Sequence, residues 1–346
     1  MVIVLDMKTQ IPVPVLRSPH HLMAAIPFLL GFRPQCSIVL VWIDSGSIAL
    51  TQRVDWPAAG AHDGLKEWAT TVVHAARHVS AQAVVLVGYP DGAEPAVTTP
   101  DGAPVAALAA AVADAQFDVL DAIVVLDDSW CVLEAGDGGR LGPPLAFDLR
   151  ITAEVSDDFM YSGWSFAADR AEVCAEFAAG DQAAAADRSE LEALTAERRA
   201  LSDSQRESWR DDSVRLVLAS CERGALLEAG PARLASGLTD IRVRDAVLWH
   251  LAHELDPQSS LHALRALVRA LPEGSRAPSA TMAAICAWLA GDGVRASAAL
   301  EIAIHDEPDY GLAALVATAL ANGLPPRMWQ ETMEHLSYED CRHGLR

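Results

Sequence analysis

The sequence predicts an α/β or α+β N-terminal domain on a mixed sheet, followed by an all-α C-terminal region with tetratricopeptide-like helical hairpins. Three observations carry this expectation. Short β-branched runs alternate with alanine-rich helical windows up to about residue 150. A turn of hairpin length, Asp44-Ser45-Gly46-Ser47, joins two of those runs. Beyond the turn-rich stretch Ala135 to Pro144, strand signals nearly vanish and helix follows helix. The expected division is 1–150 for the sheet domain, 151–240 for a helical connector and 241–346 for the repeat-like helices.

The first expected element is a helix, with Ser18 and Pro19 as cap and first residue and Gly31 closing it. Strands are expected at Cys36 to Ile43 and Ile48 to Val54, paired antiparallel through their short turn. Two more, Ala83 to Tyr89 and Ala122 to Leu126, each follow a helical window, Leu65 to Val79 and Val105 to Phe117. These windows are long enough to be crossovers covering one sheet face.

In the helical region, Gly180 to Asp212 mixes Glu and Arg at helical spacing, the pattern of a solvated helix or connector. From Ile241 onward six helical windows are separated by Asp256-Pro257, Pro272, Gly291-Asp292-Gly293, Pro308 and Pro325-Pro326. Gly291, Ala296, Ala303 and Pro308 fall at the offsets of the second half of a tetratricopeptide repeat. A plain helical bundle fits the same residues equally well.

With 346 residues, 51% hydrophobic and 21% charged, the chain can bury a sizeable core, which excludes disordered and collagen-like classes. Its formal charge of −21 repels polyphosphates and acidic headgroups, so neither nucleic acid nor membrane is an expected partner. No apolar window approaches the roughly 18 residues of a membrane span. The start, Met1 to Asp6, lacks the basic region of a signal peptide. Cys36, Cys131, Cys174, Cys221, Cys286 and Cys341 are scattered without a Cys-x-x-Cys, which suits reduced thiols. The expected location is cytoplasmic.

Motifs that would carry chemistry are weak. His74 and His78 lie one helical turn apart but lack the glutamate of a zinc protease helix, and His250, His253 and Glu254 match no zinc order. His20-His21 sits in a first helical turn, where solvent is the usual partner. Lys8-Thr9 has no Gly-rich loop before it, and Pro143-Pro144 forbid a phosphate-binding helix after Gly136 to Gly142. Tyr161-Ser-Gly-Trp-Ser165 is not a nucleophile elbow. Asp127-Asp128 and Asp157-Asp158 read as turn or cap residues before they read as Mg²⁺ ligands. No metal site is expected, and no motif names a cofactor.

The most informative polar pair is Arg53-Val-Asp55, because residues i and i+2 on a strand share a face. As structure it staples the strand end. As function, Arg53 would hold an anionic ligand with Asp55 setting its geometry. Arg33, Tyr89 and Trp130 are further ligand-binding candidates, since α/β sheets place sites at strand ends.

Pro19-x-x-Leu22, Pro27-x-Leu29-Leu30-Gly31-Phe32-x-Pro34, Ser37-x-Val39-x-Val41 and Arg53-x-Asp55-x-Pro57 resemble the opening of the actinobacterial domain of unknown function 4192 family. Trp288-Leu289-x-Gly291-Asp292-Gly293, Pro308-x-Tyr310-x-Leu312-Ala313 and Gly323-x-Pro325-Pro326-x-x-Trp329 resemble its C-terminal block, and Arg188-x-x-Leu191 a shorter middle element. The family's cysteine cluster ending in Cys-Cys-Pro is reduced here to Trp130-Cys131 and Gly142-Pro143, so no role of that cluster transfers. The resemblance implies a cytoplasmic protein and supplies no activity. The leading expectation is a non-enzymatic protein-interaction or assembly module, binding a protein partner or forming a homo-oligomer through its C-terminal helices. The alternative is an enzyme or small-ligand sensor with an anionic-ligand site near Arg53 and Asp55.

Overall fold

The structure, a computed structural model, describes residues 16–57, 65–75, 81–90, 102–134, 139–178 and 188–344. It divides into two compact units, Met1–Glu172 with Leu320–Leu324, and Val173–Ala319 with Pro325–Arg346. His78, Lys8-Thr9, the Met1 to Asp6 start and the first part of the Gly136 to Gly142 cluster lie outside the described residues.

In the first unit, α1 (Pro19–Leu30) begins where the Ser18 hydroxyl accepts the His21 amide and Pro19 fills the first turn. It ends at Gly31, whose φ of 75° is cheap only without a Cβ. β1 (Ser37–Asp44) and β2 (Ser47–Asp55) form the expected hairpin. Ser45 and Gly46 both take positive φ, the two-residue turn whose twist matches the strands. Then come α2 (Leu65–Ala75), β3 (Ala83–Tyr89), α3 (Ala103–Asp114) and β4 (Asp118–Val125). Two strands beyond the four expected, β5 (Ser129–Val132) and β6 (Leu145–Ala146), precede α4 (Leu149–Tyr161). They are too short to show an alternating pattern in sequence.

The sheet order is β2-β1-β3-β4-β5-β6. β1 is antiparallel to β2 and β3, and β3 is parallel to β4 through the α3 crossover, so the sheet is mixed. One face presents Ile38, Leu40, Trp42, Leu50, Val54, Val84, Leu86 and Val124 to α2 and α3. Gln52 is the polar member of this layer: Trp42 Nε1 donates to its Oε1 (3.0 Å), and its Nε2 donates to the Val72 carbonyl (3.1 Å). Gly88 allows the close approach of α3 and Trp56, since an added Cβ would meet Val105 Cγ2 at 2.7 Å. Near α1, Ala25, Phe28 and Leu29 pack on Val155 and Phe159 of α4, with the Phe28 and Phe159 rings stacked 4.9 Å apart.

The short α5 (Arg170–Ala175) carries the chain into the helical unit. There follow α6 (Arg188–Ala200), α7 (Asp203–Arg223), α8 (Pro231–Leu238), α9 (Ile241–His253), α10 (Pro257–Ala270), α11 (Ala277–Leu289), α12 (Gly293–Asp306), α13 (Gly311–Ala321), α14 (Pro326–Glu334) and α15 (Tyr338–His343). Side chains of Asp240, Asp256 and Asp292 cap α9, α10 and α12. The last of the six expected windows is two helices, because Ser337 and Asp340 form a capping box that starts α15. All of α11 except Pro278 and Leu289 is buried. Its partner α12 follows a turn at Gly291, and Ala296 and Ala303, with no exposed surface, let the two helices close together.

An ion pair ties the far ends of this hairpin. The Asp306 carboxylate, whose side chain is 0% exposed, accepts from Arg276 Nε (2.9 Å) and Nη2 (2.6 Å) and from the amides of Gly274 (2.8 Å) and Arg276 (3.0 Å). Burial works against its charge, but these four bonds outweigh burial and hold its pKa below the ordinary carboxylate value. A lowered pKa means stability that is present above the unfolded value and lost as pH falls towards the folded one. Asp306→Asn should therefore cost about 3 kcal/mol in urea unfolding near neutral pH. It should also flatten the loss of stability below about pH 4 seen in the wild type.

Candidate functional site

The period-2 geometry of the sheet gathers four of the five candidate residues on one face at one end. Ser37 is registered with Asp55 on one side and Tyr89 on the other. Val125, one residue beyond the Gly88–Val124 pair, is registered with Trp130, and Trp130 with Leu145. Arg53 lies one step further in on the same face. This is the side on which α1 lies: Trp130 meets the His20 ring edge-on at 5.6 Å, and the Arg53 guanidinium stands 6.0 Å from the Phe32 ring just past the helix. At 12 residues, α1 is about 18 Å long, close to the four strand spacings of about 4.8 Å between β2 and β5. Arg53 and Trp130 thus stand at opposite ends of a row.

Arg53 is only 6% exposed. Its Nη1 donates to Asp55 Oδ1, the partner two residues on, and its Nη2 donates to the Gln35 carbonyl at 3.3 Å. Its Nε is buried without a partner, as are the hydroxyls of Ser37 and Thr51 on the same face and the Trp130 Nε1. The Asp55 side chain is 68% exposed, so the pair runs from core to solvent. Tyr89 is buried, and burial pushes its phenol above the ordinary range. Arg33 is not part of this row: it is exposed, 5.3 Å over the Phe166 ring, with its amide donating to the Ala167 carbonyl. Sequence reasoning passed over Ser37 and Thr51, although their alternation with Arg53 places them on its face.

The other polar motifs are spoken for or exposed. His250 pairs with Glu254 at 2.6 Å, and His253 binds the Trp249 carbonyl and stacks on its ring. His20 Nε2 accepts the Asp148 amide at 2.8 Å. Asp127, Asp128, Asp157 and Asp158 are exposed. His74 lines a groove of about 350 Å³ between α2 and α3, with Lys66 and Asp114 at its rim. Among the described residues no group of three metal-ligating side chains gathers, and none of the six cysteines forms a disulfide.

A larger groove of about 470 Å³ lies within the helical unit. One wall is a single face of α6, Arg188, Leu191, Glu192, Thr195, Ala196 and Arg199, at the spacings that bring residues into line on a helix. The opposite wall is Ala235 and Ser236 of α8, Thr239, and the turn from Gly274 into Pro278 at the start of α11. Apolar Leu191, Ala196, Ala235, Ala277 and Pro278 share it with two cations and two acids. Arg188 Nη2 donates to the Glu273 carbonyl at 2.7 Å, and Arg199 has no ion pair within the described residues. The one sequence signal for this place was Arg188-x-x-Leu191.

No helix among the described residues is long and apolar enough to cross a membrane. No curated protein matches the chain, and no solved structure matches it. A family model does, over residues 19–327, which takes in both the strand-end row and the helical groove. The chain belongs to the family described as Domain of unknown function (DUF4192).

Proposed function

We propose that this protein is a protein-interaction module whose helical unit docks a segment of a partner. The observation that carries this reading is the groove of about 470 Å³ between α6 and α8, lined by buried Ala235 and Ala277 and by the exposed charges Arg188, Glu192, Arg199 and Glu307. Apolar and charged side chains side by side are common at protein recognition sites. A photo-crosslinking residue at Ala196, in the groove wall, should yield a one-to-one adduct with a single identified protein in the native cytosol, and the same probe at exposed Leu120 should not. With that partner purified, Arg199→Glu should weaken binding about tenfold or more, the size of one lost charge-assisted contact. Equal adducts at both positions, or an unaffected affinity, would sink the reading.

A second reading, a small-anion site beside Arg53, is supported by three buried groups on one sheet face, Arg53 Nε and the Ser37 and Thr51 hydroxyls, that have no partner. Under it, inorganic phosphate raises the Tm of the wild type but not of Arg53→Ala, and Thr51→Val loses that response. If the cluster is purely a strand-end staple, phosphate changes nothing. Thr51→Val then gains about 1 kcal/mol, because it removes an unsatisfied buried hydroxyl.

A further inference from the structure

We infer that α6 is a removable strap on the helical unit, and that the partner able to take its place is a helix carrying two arginines ten positions apart. The first observation is energetic. α6 has 13 residues and none of them is buried, whereas the adjacent α8 buries six of its eight. A polar helix of this length is marginal alone in water and gains its order from docking. The side it turns inward is no more than half-buried, at Leu191, Leu194, Thr195 and Arg198, and part of it lines the groove of about 470 Å³.

Two arginines near its ends bond α6 to the rest of the helical unit. Arg188 Nη2 donates to the Glu273 carbonyl at 2.7 Å. Arg198 Nη1 donates to Thr239 Oγ1 at 2.8 Å and to the Ser236 carbonyl at 3.4 Å, and its guanidinium stands 5.6 Å from the Trp209 ring. The surface under the strap is therefore a set of oxygen acceptors and an aromatic ring, chemistry that selects cations. Between the two anchors, Thr195 and Ala196 are too small to fill the groove, and the Ser236 hydroxyl lies buried without a partner. A competing helix with the same arginine spacing and a larger apolar side chain in place of Ala196 makes the same anchors and adds burial that α6 lacks.

A partner that replaces α6 is a different occupant from a segment seated between α6 and α8, so this inference stands apart from the docking reading, and release of the strap is readable without any partner. In hydrogen exchange on the full chain, α6 amides should exchange at least tenfold faster than those of α8 and α11. Arg188→Ala with Arg198→Ala, which removes three hydrogen bonds and a contact with the Trp209 ring, should speed α6 by at least about another tenfold and leave α11 protection and the Tm unchanged. A labelled peptide of residues 188–200 should bind this double variant saturably. The peptide with Ala196→Leu should bind more tightly, and the one lacking both arginines should fail. An α6 as protected as α8 in the wild type, or a double variant that takes up no peptide, overturns the inference. Fast α6 exchange with peptide binding but no groove-specific adduct would retire the proposed function and keep the strap, while a protected α6 with such an adduct would do the reverse.

Discussion

The helical unit depends on one constraint: α11 is apolar on every side and must be surrounded. Its sequence, APSATMAAICAWL, offers no polar stripe to solvent, and only Pro278 and Leu289 escape burial. Small residues let α12 close on it, and α10 covers another side. The two ends of the α11–α12 hairpin are then fixed by Arg276 and Asp306, a pair that burial alone would disfavour and that four hydrogen bonds to the Asp306 carboxylate compensate. A similar clamp holds Glu176, which Arg295 and Arg265 grip together and keep ionised against the cost of burial. These two clamps involve residues of α10, α12 and the turn before α11, and α6 contributes to neither.

The sheet unit meets a related demand in another way. Every residue of β3 and the first six of β1 are buried, so their sequences read as continuous apolar runs rather than as alternation. Polar groups that enter such a sheet need partners. Gln52 has both of its own, from Trp42 and to Val72, and it couples the sheet to α2. Arg53 leads its charge out to Asp55 at the strand end and leaves Ser37 and Thr51 unpaired beside it. The same row is thus both a staple and a place where polar groups have bonds to spare.

Local signals were legible and tertiary ones were not. Ser18, Gly31 and the Asp44 to Ser47 turn act within a few residues, so the first helix and the hairpin fall where the sequence puts them. β5 and β6 are four and two residues long, shorter than the repeat needed to recognise a strand. The period-2 rule put Arg53 and Asp55 on one face, but their distance from Trp130 depends on three strands inserted between them, which no local pattern records. The groove was least visible of all. Its walls come from residues 188–199, 235–239, 274–278 and 307, and each segment alone reads as ordinary helix or turn.

The perturbed thiol titrations mark core residues rather than nucleophiles. A catalytic thiol needs its pKa brought down towards the working pH, by a nearby cation or a helix N-terminus. Here burial pushes Cys221 up to about 11 and raises Cys286 and Cys131 as well, so these thiols stay protonated and behave as small apolar side chains. The arginines are displaced in the sense of anchors, since Arg276 and Arg295 are raised by the carboxylates they hold. Charge in this unit is spent on fixing helices in place. At α6 that expenditure is slight, two arginines against neutral oxygens, and a surface held closed so lightly is one that a better-fitting helix can open.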